Sequence, residues 1–352
     1  MSAPTSAPDH EQVVIRAGRR SGVPIIIAMH STVLGPAAGG CRIWNYRRWQ
    51  DGLEDALRLS AAMTAKFSAA GLAKGGGKTV VALPEGFDLT PARRREVLHD
   101  VADAIEALGG AYATGPDVGT SPEDMAVIGE RTNYVFCKPP ELGGSGDSSS
   151  HTANGTLAAL RAVGTELHGT RSLAGVRLAV VGLGNVGSRI ATTLANEGAE
   201  MVVSDIDPGK RALADRLGAE WAEPHQALTA EVDIVVPAAL GGVLTEAIVP
   251  ELRCRAITGP ANNQLTTPEV ADLLAGREIL WVPDYIVSAG GVIHTLTVEL
   301  DHRTEDEARK QVLSIEDTVR DLMAAAKSRG TTLAAAAAER VQARLDAATA
   351  RR

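Results

Sequence analysis

The sequence predicts an α/β protein of two domains. Its 352 residues are more than one hydrophobic core usually holds. Beyond residue 150, short unbroken apolar runs alternate with helical segments, the pattern of a parallel sheet covered on both faces. A Gly/Ser run at 143–150, GGSGDSSS, separates this regular part from the first 146 residues. We therefore place a domain boundary after residue 146.

The second half supplies the clearest strands. Each is a short apolar run followed by a helical segment, and they lie at Leu178–Val181, Met201–Ser204, Ile234–Pro237, Ala256–Thr258 and Ile279–Val282. The alanine-rich stretch 331–352 predicts a C-terminal helix.

The first half is less regular. Its predicted strands are Val23–Ala28, Thr79–Leu83 and Ala111–Thr114, and helical spacing of apolar residues predicts a helix over Gly52–Lys66. Ser121 followed by Pro122 predicts the start of another helix.

Composition excludes several classes of protein. A net charge of −8 argues against nucleic-acid binding, and the apolar runs are too short to span a membrane. The first dozen residues are polar and predict a loose tail rather than a signal peptide. Three scattered cysteines fit neither a disulfide framework nor a zinc site, and the eight histidines show no metal-ligand spacing. We expect a cytoplasmic protein without a metal.

A glycine motif follows the first strand of the second half. GLGNVG contains Gly182, Gly184 and Gly187 after the strand LAVV, with Asn185 and Val186 between the last two glycines, and Asp205 ends the next strand. Glycines there let a pyrophosphate approach the helix N-terminus, and an acid at that spacing binds a ribose hydroxyl. The alternative is a glycine turn with an acid that only caps a helix. We predict a Rossmann domain that binds NAD rather than NADP.

Glycines also surround two lysines in the first half. Lys66 and Lys78 flank a segment with Gly75, Gly76 and Gly77, which predicts a loop that approaches a ligand closely. GPAAGG at 35–40 and TGPDVGT, with Asp117, predict similar loops. Each could equally be a surface turn with solvated charges, and Lys74 is expected at the surface.

Five motifs occur in an order that resembles the Glu/Leu/Phe/Val dehydrogenase family. They are AAMTAKFSAAGLAKGGGKTVV, ATGPDVGTSPEDM, VVGLGNVGSRIA, GPANNQL and PDYIVSAGGVIH. The resemblance extends from about Ile25 to the C-terminal helix and is strongest to the phenylalanine dehydrogenase branch. It implies oxidative deamination of an L-amino acid by NAD to a 2-oxo acid and ammonia.

The family resemblance also implies roles for individual residues. Lys78 polarises the α-carbonyl, Asp117 is the general acid/base, and Lys66 with Gly39 and Gly40 holds the substrate carboxylate. Asn262 contacts the substrate carboxylate or the nicotinamide end of NAD, and the 288–291 segment lies beside the nicotinamide.

Architecture and assembly are implied in the same way. A substrate and oligomerisation domain, 1–146, is completed by the C-terminal helix 325–352, and the Rossmann domain covers 147–324 with a cleft between the two. The expected assembly is a homo-oligomer.

The implied side-chain pocket includes Ala38, Gly115, Val292 and Thr295. Branched-chain enzymes of the family carry larger residues at the first two positions, so the sequence favours an aromatic substrate, phenylalanine before tryptophan or tyrosine. The alternatives are a leucine or valine dehydrogenase and, in another class, a non-catalytic NAD-binding regulator.

Overall fold

A computed structural model describes residues 9–351, and these form two compact units. The first unit contains the described residues up to Asp147, together with Val298–His302 and the chain from Val341 onward. The second contains Ser148–Thr297 and Arg303–Arg340. The division falls inside the GGSGDSSS run. Most of the predicted N-terminal tail, residues 1–8, lies outside the described residues.

The first unit is built on a five-stranded mixed sheet. Its strands are β1 (Gln12–Ala17), β2 (Pro24–Ser31), β3 (Ala37–Tyr46), β4 (Gly75–Pro84) and β5 (Tyr112–Pro116). Their order is β1-β2-β4-β3-β5, with β3 parallel to both β4 and β5 and the other pairs antiparallel. Its helices are α1 (Trp49–Ala69), α2 (Pro91–Glu106) and α3 (Pro122–Gly129), with a short 3-10 turn at Pro140–Leu142. All the elements predicted for this half are present, and β1, β3 and α2 are additional.

Both faces of this sheet are covered. Successive residues of a strand point to opposite faces. In β2, Ile25 and Ile27 belong to a large core cluster that includes residues of α2 and α3, whereas Ile26 and Ala28 belong to a second cluster with Ala56 of α1. A strand buried on both faces has no polar alternation, which is why β2 reads as one apolar run.

Two of the three glycine-rich segments of the first unit lie mainly in strands, and their prediction as loops is wrong, whereas Asp117 of TGPDVGT lies in a turn after β5, as predicted. Gly75, Gly76 and Gly77 begin β4, while Gly39 and Gly40 lie within β3. A Cβ on Gly76 would lie 2.1 Å from the backbone nitrogen of Thr64 in α1, and one on Gly39 would lie 1.8 Å from the carbonyl oxygen of Gly77. These glycines therefore allow α1 and the neighbouring strand to approach the backbone directly.

The second unit contains a six-stranded parallel sheet. Its strands are β6 (Arg177–Val181), β7 (Glu200–Ser204), β8 (Glu220–Trp221), β9 (Ile234–Pro237), β10 (Ala256–Ile257) and β11 (Leu280–Trp281), in the order β11-β10-β9-β6-β7-β8. The five predicted strands are confirmed, and β8 is additional. From β6 the chain runs outward to β7 on one side and later to β9 on the other. This reversal is the topological switch point at which doubly wound sheets bind ligands.

Helices surround this sheet and continue to the C-terminus. They are α4 (Ser149–His168), α5 (Asn185–Asn196), α6 (Arg211–Leu217), α7 (Pro224–Leu228), α8 (Val270–Gly276), α9 (Asp284–Val287), α10 (Gly290–Thr295), α11 (Glu305–Leu313), α12 (Ile315–Arg329) and α13 (Leu333–Thr349), with 3-10 turns at Pro208–Lys210 and Val249–Glu251 and a π-helical segment at Leu296–Leu300. The predicted C-terminal helix is confirmed. Of the segment 325–352, the part up to Arg340 groups with the second unit and the part from Val341 onward with the first. Within residues 9–351, no helix has both the length and the apolarity to cross a membrane.

The contact between Gly76 and α1 gives a test of the fold. We expect Gly76→Ala to lower the free energy of unfolding by about 1–3 kcal/mol, because the added methyl group has no space beside the α1 backbone. Chemical denaturation would measure this change. The matched control is Gly276→Ala at the end of α8, where nothing lies within 4 Å of the added Cβ. Equal midpoints for the two variants would contradict the assigned contact.

Candidate active site

Lys78 and Asp117 form an ion pair across strand β3 of the first unit. Lys78 lies in β4, Asp117 directly follows β5, and β3 runs between these strands. The Lys78 Nζ is 2.9 Å from the Asp117 Oδ2. A Cβ on Gly40 would lie 3.0 Å from that Nζ and 2.7 Å from the Asp117 Cβ. Glycine at position 40 therefore leaves the room that the lysine side chain needs to reach its partner.

The backbone around Asp117 is fixed to β3. The Asp117 amide donates to the Thr120 Oγ1 at 2.9 Å, and that hydroxyl donates to the Cys41 carbonyl at 2.8 Å. Gly119 has a φ of +81°, and a Cβ there would lie 2.0 Å from the Ile43 carbonyl oxygen. This turn thus needs glycine both for its conformation and for its close approach. It holds the carboxylate at one position beside Lys78.

Burial and charge shift the pKa values of this pair in the direction that proton transfer requires. The Lys78 side chain is 6% exposed. Burial lowers the pKa of Lys78, and the neighbouring Asp117 carboxylate opposes this only in part. Burial alone would raise the pKa of Asp117, but the cations of Lys78 and Arg42 hold it below its ordinary value. Asp117 is therefore a carboxylate beside a lysine whose proton is easily lost.

Arg42 is a site residue that the sequence reasoning missed. Its Nε donates to the same oxygen of Asp117, Oδ2, at 2.9 Å. The signal was present in the motif GGCR, because residues 40 and 42 of a strand lie on the same face. Predicting a loop at 35–40 concealed this spacing.

The other predicted substrate residues of the first unit lie around the same strands. Lys66 is in the last turn of α1, half-buried, and Gly39 lies in β3 next to Gly40. The end of α1 is held by Arg344, whose Nη1 donates to the Ser68 carbonyl at 2.8 Å and whose Nη2 donates to the Leu72 carbonyl at 2.8 Å. These bonds connect Arg344 to the backbone at the end of α1 and just beyond it.

Two expectations for the first unit need correction. Lys74, expected at the surface, has a side chain only 13% exposed, and its Nζ is 2.8 Å from the Asp301 Oδ1. Gly115 was expected to leave space for a larger substrate, but a Cβ there would lie 2.2 Å from the ring of Phe136. The volume that a side chain at position 115 would fill is therefore occupied by an aromatic ring. Ala38 is fully buried.

The glycine motif of the second unit adopts the geometry that a pyrophosphate needs. Gly184 is the N-cap of α5, is exposed, and has nothing within 4 Å of an added Cβ. Gly182 has a φ of +111°, and a Cβ on Gly187 would lie 1.9 Å from the carbonyl oxygen of Gly182. Asn185 and Val186 begin the helix, so their amides face the open side. The turn combines a tight backbone with an accessible helix N-terminus.

Asp205 lies at the end of β7, next to this motif. Its Oδ2 accepts from the Leu183 amide at 2.7 Å, and its Oδ1 accepts from the Asp207 amide at 2.9 Å. Two strongly exposed apolar side chains, Ile206 and Leu240, follow β7 and β9, the strands on either side of β6. Phosphate-binding backbone, a carboxylate and exposed apolar side chains at one sheet edge fit a dinucleotide.

The remaining predicted residues also belong to the second unit. Asn262 is exposed, and its Oδ1 accepts from the Ser288 Oγ at 3.3 Å. Val292 is half-buried on α10, and Thr295 at the end of that helix is 1% exposed. Within residues 9–351, no group of three or more His, Cys, Asp or Glu side chains is placed to hold a metal ion.

Comparison with known proteins shows the family to which the chain belongs. The family described as "Glu/Leu/Phe/Val dehydrogenase, dimerisation domain" matches residues 10–134, and "Glutamate/Leucine/Phenylalanine/Valine dehydrogenase" matches 203–352. The leucine dehydrogenase of Geobacillus stearothermophilus is 40% identical over 91% of this chain and 86% of its own length. The chain belongs to the Glu/Leu/Phe/Val dehydrogenase family.

Other relatives of this family member differ in the substrate they are named for. The phenylalanine dehydrogenase of Caldalkalibacillus thermarum is 37% identical over 96% of this chain and 91% of its own length. The crystal structure of L-tryptophan dehydrogenase from Nostoc punctiforme has a TM-score of 0.84, 33% identity and 97% coverage of both chains. The resemblance inferred from the motifs is thus confirmed at the level of the family.

As a member of this family, the protein is an NAD-dependent dehydrogenase that acts on the CH–NH2 group of its substrate. Residues 151–251 also match the "D-isomer specific 2-hydroxyacid dehydrogenase, NAD binding domain", which covers the glycine motif and Asp205. The open space in front of Gly184 and the carboxylate of Asp205 fit this cofactor. The prediction of an NAD-dependent amino-acid dehydrogenase is confirmed, and the alternative of a non-catalytic regulator is not supported.

Asp205 gives the first test of the cofactor site. We expect Asp205→Ala to weaken NADH binding by about 10–100-fold, because a charged hydrogen-bond acceptor is lost. Fluorescence titration with NADH would measure the dissociation constant. The matched control is Asp207→Ala, two residues further on, where the carboxylate only caps a 3-10 turn. Unchanged affinity in Asp205→Ala would remove Asp205 from the cofactor site.

Proposed function

We propose that this enzyme catalyses the reversible oxidative deamination of an L-amino acid with an aromatic side chain, phenylalanine before tryptophan and tyrosine. The products are the 2-oxo acid, ammonia and NADH. The observation that carries the proposed chemistry is the buried Lys78–Asp117 pair beside Gly40. A neutral amine and a carboxylate in contact can pass a proton between substrate nitrogen, water and solvent.

The reaction needs three bond changes at one carbon. The C–H bond of Cα breaks, a water oxygen becomes the new carbonyl oxygen, and the C–N bond breaks to release ammonia. The cofactor's contribution, when bound, is to accept the hydride that leaves Cα. In this scheme Asp117 takes a proton from the substrate nitrogen and passes it to solvent, then takes a proton from the attacking water and returns it to the nitrogen that leaves as ammonia. Lys78 donates a hydrogen bond to the oxygen that becomes the carbonyl and takes up the proton that this oxygen loses when the C–N bond breaks.

Positioning of the substrate belongs to the same proposal. In the proposed scheme, Lys66 and the backbone of Gly39 and Gly40 bind the α-carboxylate, because a cation and closely approachable amides suit an anion. Asn262 contacts this carboxylate or the nicotinamide end of NAD. Gly182, Gly184, Asn185, Val186, Gly187 and Asp205 bind the rest of NAD.

Support for an aromatic substrate is narrower than the sequence suggested. The ring of Phe136 occupies the space at Gly115, so the argument for a larger pocket now depends on Ala38, with Val292 and Thr295 as further lining residues. The named activities of the phenylalanine and tryptophan dehydrogenase relatives support it. The leucine dehydrogenase relative, at 40% identity, favours a branched-chain substrate as the second candidate.

Assembly belongs to the same proposal. We expect a homo-oligomer, since the family matched by residues 10–134 is described as a dimerisation domain.

The test is NADH formation by the purified enzyme with NAD and each of the L-amino acids. We expect kcat/KM for phenylalanine to exceed that for leucine by about tenfold or more, the discrimination that one or two methylene groups provide in an apolar pocket. D-phenylalanine is the matched control and should give no NADH. A higher kcat/KM for leucine, valine or isoleucine would assign the enzyme to the second candidate. No turnover with any amino acid would contradict the proposed function itself.

A further inference from the structure

Arg42 connects two carboxylates at the centre of the first unit. Its Nε donates to the Asp117 Oδ2 at 2.9 Å, and its Nη1 donates to the Asp55 Oδ2 at 2.7 Å. The Arg42 side chain is 18% exposed, and those of Asp55 and Asp117 are 15% and 24% exposed. The largely buried Arg42 guanidinium therefore pairs with Asp117 on one side and with Asp55 on the other.

Asp55 is itself held from two further directions. The Tyr46 hydroxyl donates to its Oδ2 at 2.7 Å, and the Arg58 Nη2 donates to its Oδ1 at 2.6 Å. Burial opposes the charge of Asp55, but the hydrogen bonds from Tyr46 and Arg42 hold its pKa below the ordinary value. Burial also raises the pKa of Tyr46, so its hydroxyl stays a donor. Asp55 is thus a fixed anion that fixes Arg42.

The two oxygens of Asp117 are used differently as a result. Oδ2 accepts from both Arg42 and Lys78, whereas Oδ1 has no hydrogen-bond partner among residues 9–351. A carboxylate held by one oxygen from two sides cannot rotate without losing both bonds. Oδ1 is left as the oxygen that can take up a proton.

We infer that Arg42, anchored by Asp55, is a positioning residue that orients Asp117 and keeps Oδ1 available for proton transfer. This inference rests on the proposed role of Asp117. Arginine is required because its planar guanidinium reaches two carboxylates at once, whereas a lysine ammonium is a point charge on one flexible stem. Arg42 touches neither hydride nor substrate in this scheme and acts through Asp117.

The positive charge of Arg42 also changes the pKa of Lys78. Burial is the main cause of the low pKa of Lys78, and the Arg42 cation lowers that pKa further. The same cation lowers the pKa of Asp117. Loss of the Arg42 charge therefore raises both pKa values, and the pH at which Lys78 becomes neutral moves upward.

Other ionisable groups near this centre contribute less. Burial raises the pKa of Cys41 to about 12, so the thiol on the neighbouring position of β3 stays uncharged. Among the charged groups of the helices packed in this unit, Lys66 and Arg58 lie on α1, where Arg58 pairs with Asp55, and Arg94 of α2 pairs with Asp124 of α3. Arg94 and Asp124 neutralise each other at 2.5 Å.

The experiment compares pH profiles of kcat/KM for amino-acid oxidation in wild type, Arg42→Met, Arg42→Lys and Asp55→Asn. We expect Arg42→Met to lower kcat/KM by about 10–100-fold, and the acidic limb of its profile to move upward by about one pH unit. Arg42→Lys restores the positive charge but cannot bond Asp117 and Asp55 at once. The acidic limb of its pH profile should therefore return towards that of wild type, while its kcat/KM stays low. Asp55→Asn should also lower kcat/KM, by a smaller factor than Arg42→Met. NADH affinity should be unchanged in all three.

One control variant and two contrary outcomes make the result decisive. Arg309→Met removes an arginine from an exposed ion pair with Asp306 and should leave the profile unchanged. An Arg42→Met profile that superimposes on wild type would overturn the inference. The inference would also be overturned if Arg42→Met lost kcat/KM and had a lower melting temperature but kept the acidic limb of its pH profile in place. That result would mean that Arg42 serves only the fold. If wild type itself oxidises no amino acid, the proposed function fails instead, which is a separate result.

Discussion

A lysine that is 5% exposed must either pair with an anion or give up its proton, and this requirement organises the first unit around Lys78. The side chain reaches Asp117 only because position 40 has no side chain. The anion in turn stays charged because Arg42 lies on its other side, and Asp55 keeps Arg42 in place. One buried charge thus requires an alternating row of four: Lys78, Asp117, Arg42 and Asp55. Such a row is costly to bury, and a site that moves protons gives a reason to retain it.

Glycine is the second requirement of this arrangement, and it explains where the sequence misled. Consecutive glycines are rare in strands, so 75–77 and 35–40 predict loops. Only the contacts of Gly76 with α1 and of Gly39 with β4 show that these strands need glycine for close packing. β1 was missed for another reason. It is a mostly exposed strand at the sheet edge, and its apolar residues lack the burial pattern of a central strand.

The second unit was predicted almost completely, because its information is local. A glycine motif between a strand and a helix, an acid at the end of the next strand and five apolar runs define a dinucleotide fold within a short stretch. The site of the first unit depends on residues far apart in the chain, 42, 78 and 117. The proposed catalytic roles of Lys78 and Asp117 came from a resemblance rather than from spacing. Neither route could reveal the Arg42–Asp55 contact or the Phe136 ring at Gly115, since both depend on side-chain packing.

The measurement that tests this account most directly is turnover and NADH binding in Lys78→Ala, with Lys310→Ala on the exposed face of α11 as the matched control. The account predicts that Lys78→Ala loses at least about 10²–10⁴-fold in kcat, the contribution of a positioned acid–base group, and keeps its affinity for NADH. The control should match wild type in both. Near-normal turnover in Lys78→Ala would contradict the account, because the buried lysine would then serve the fold and not the reaction.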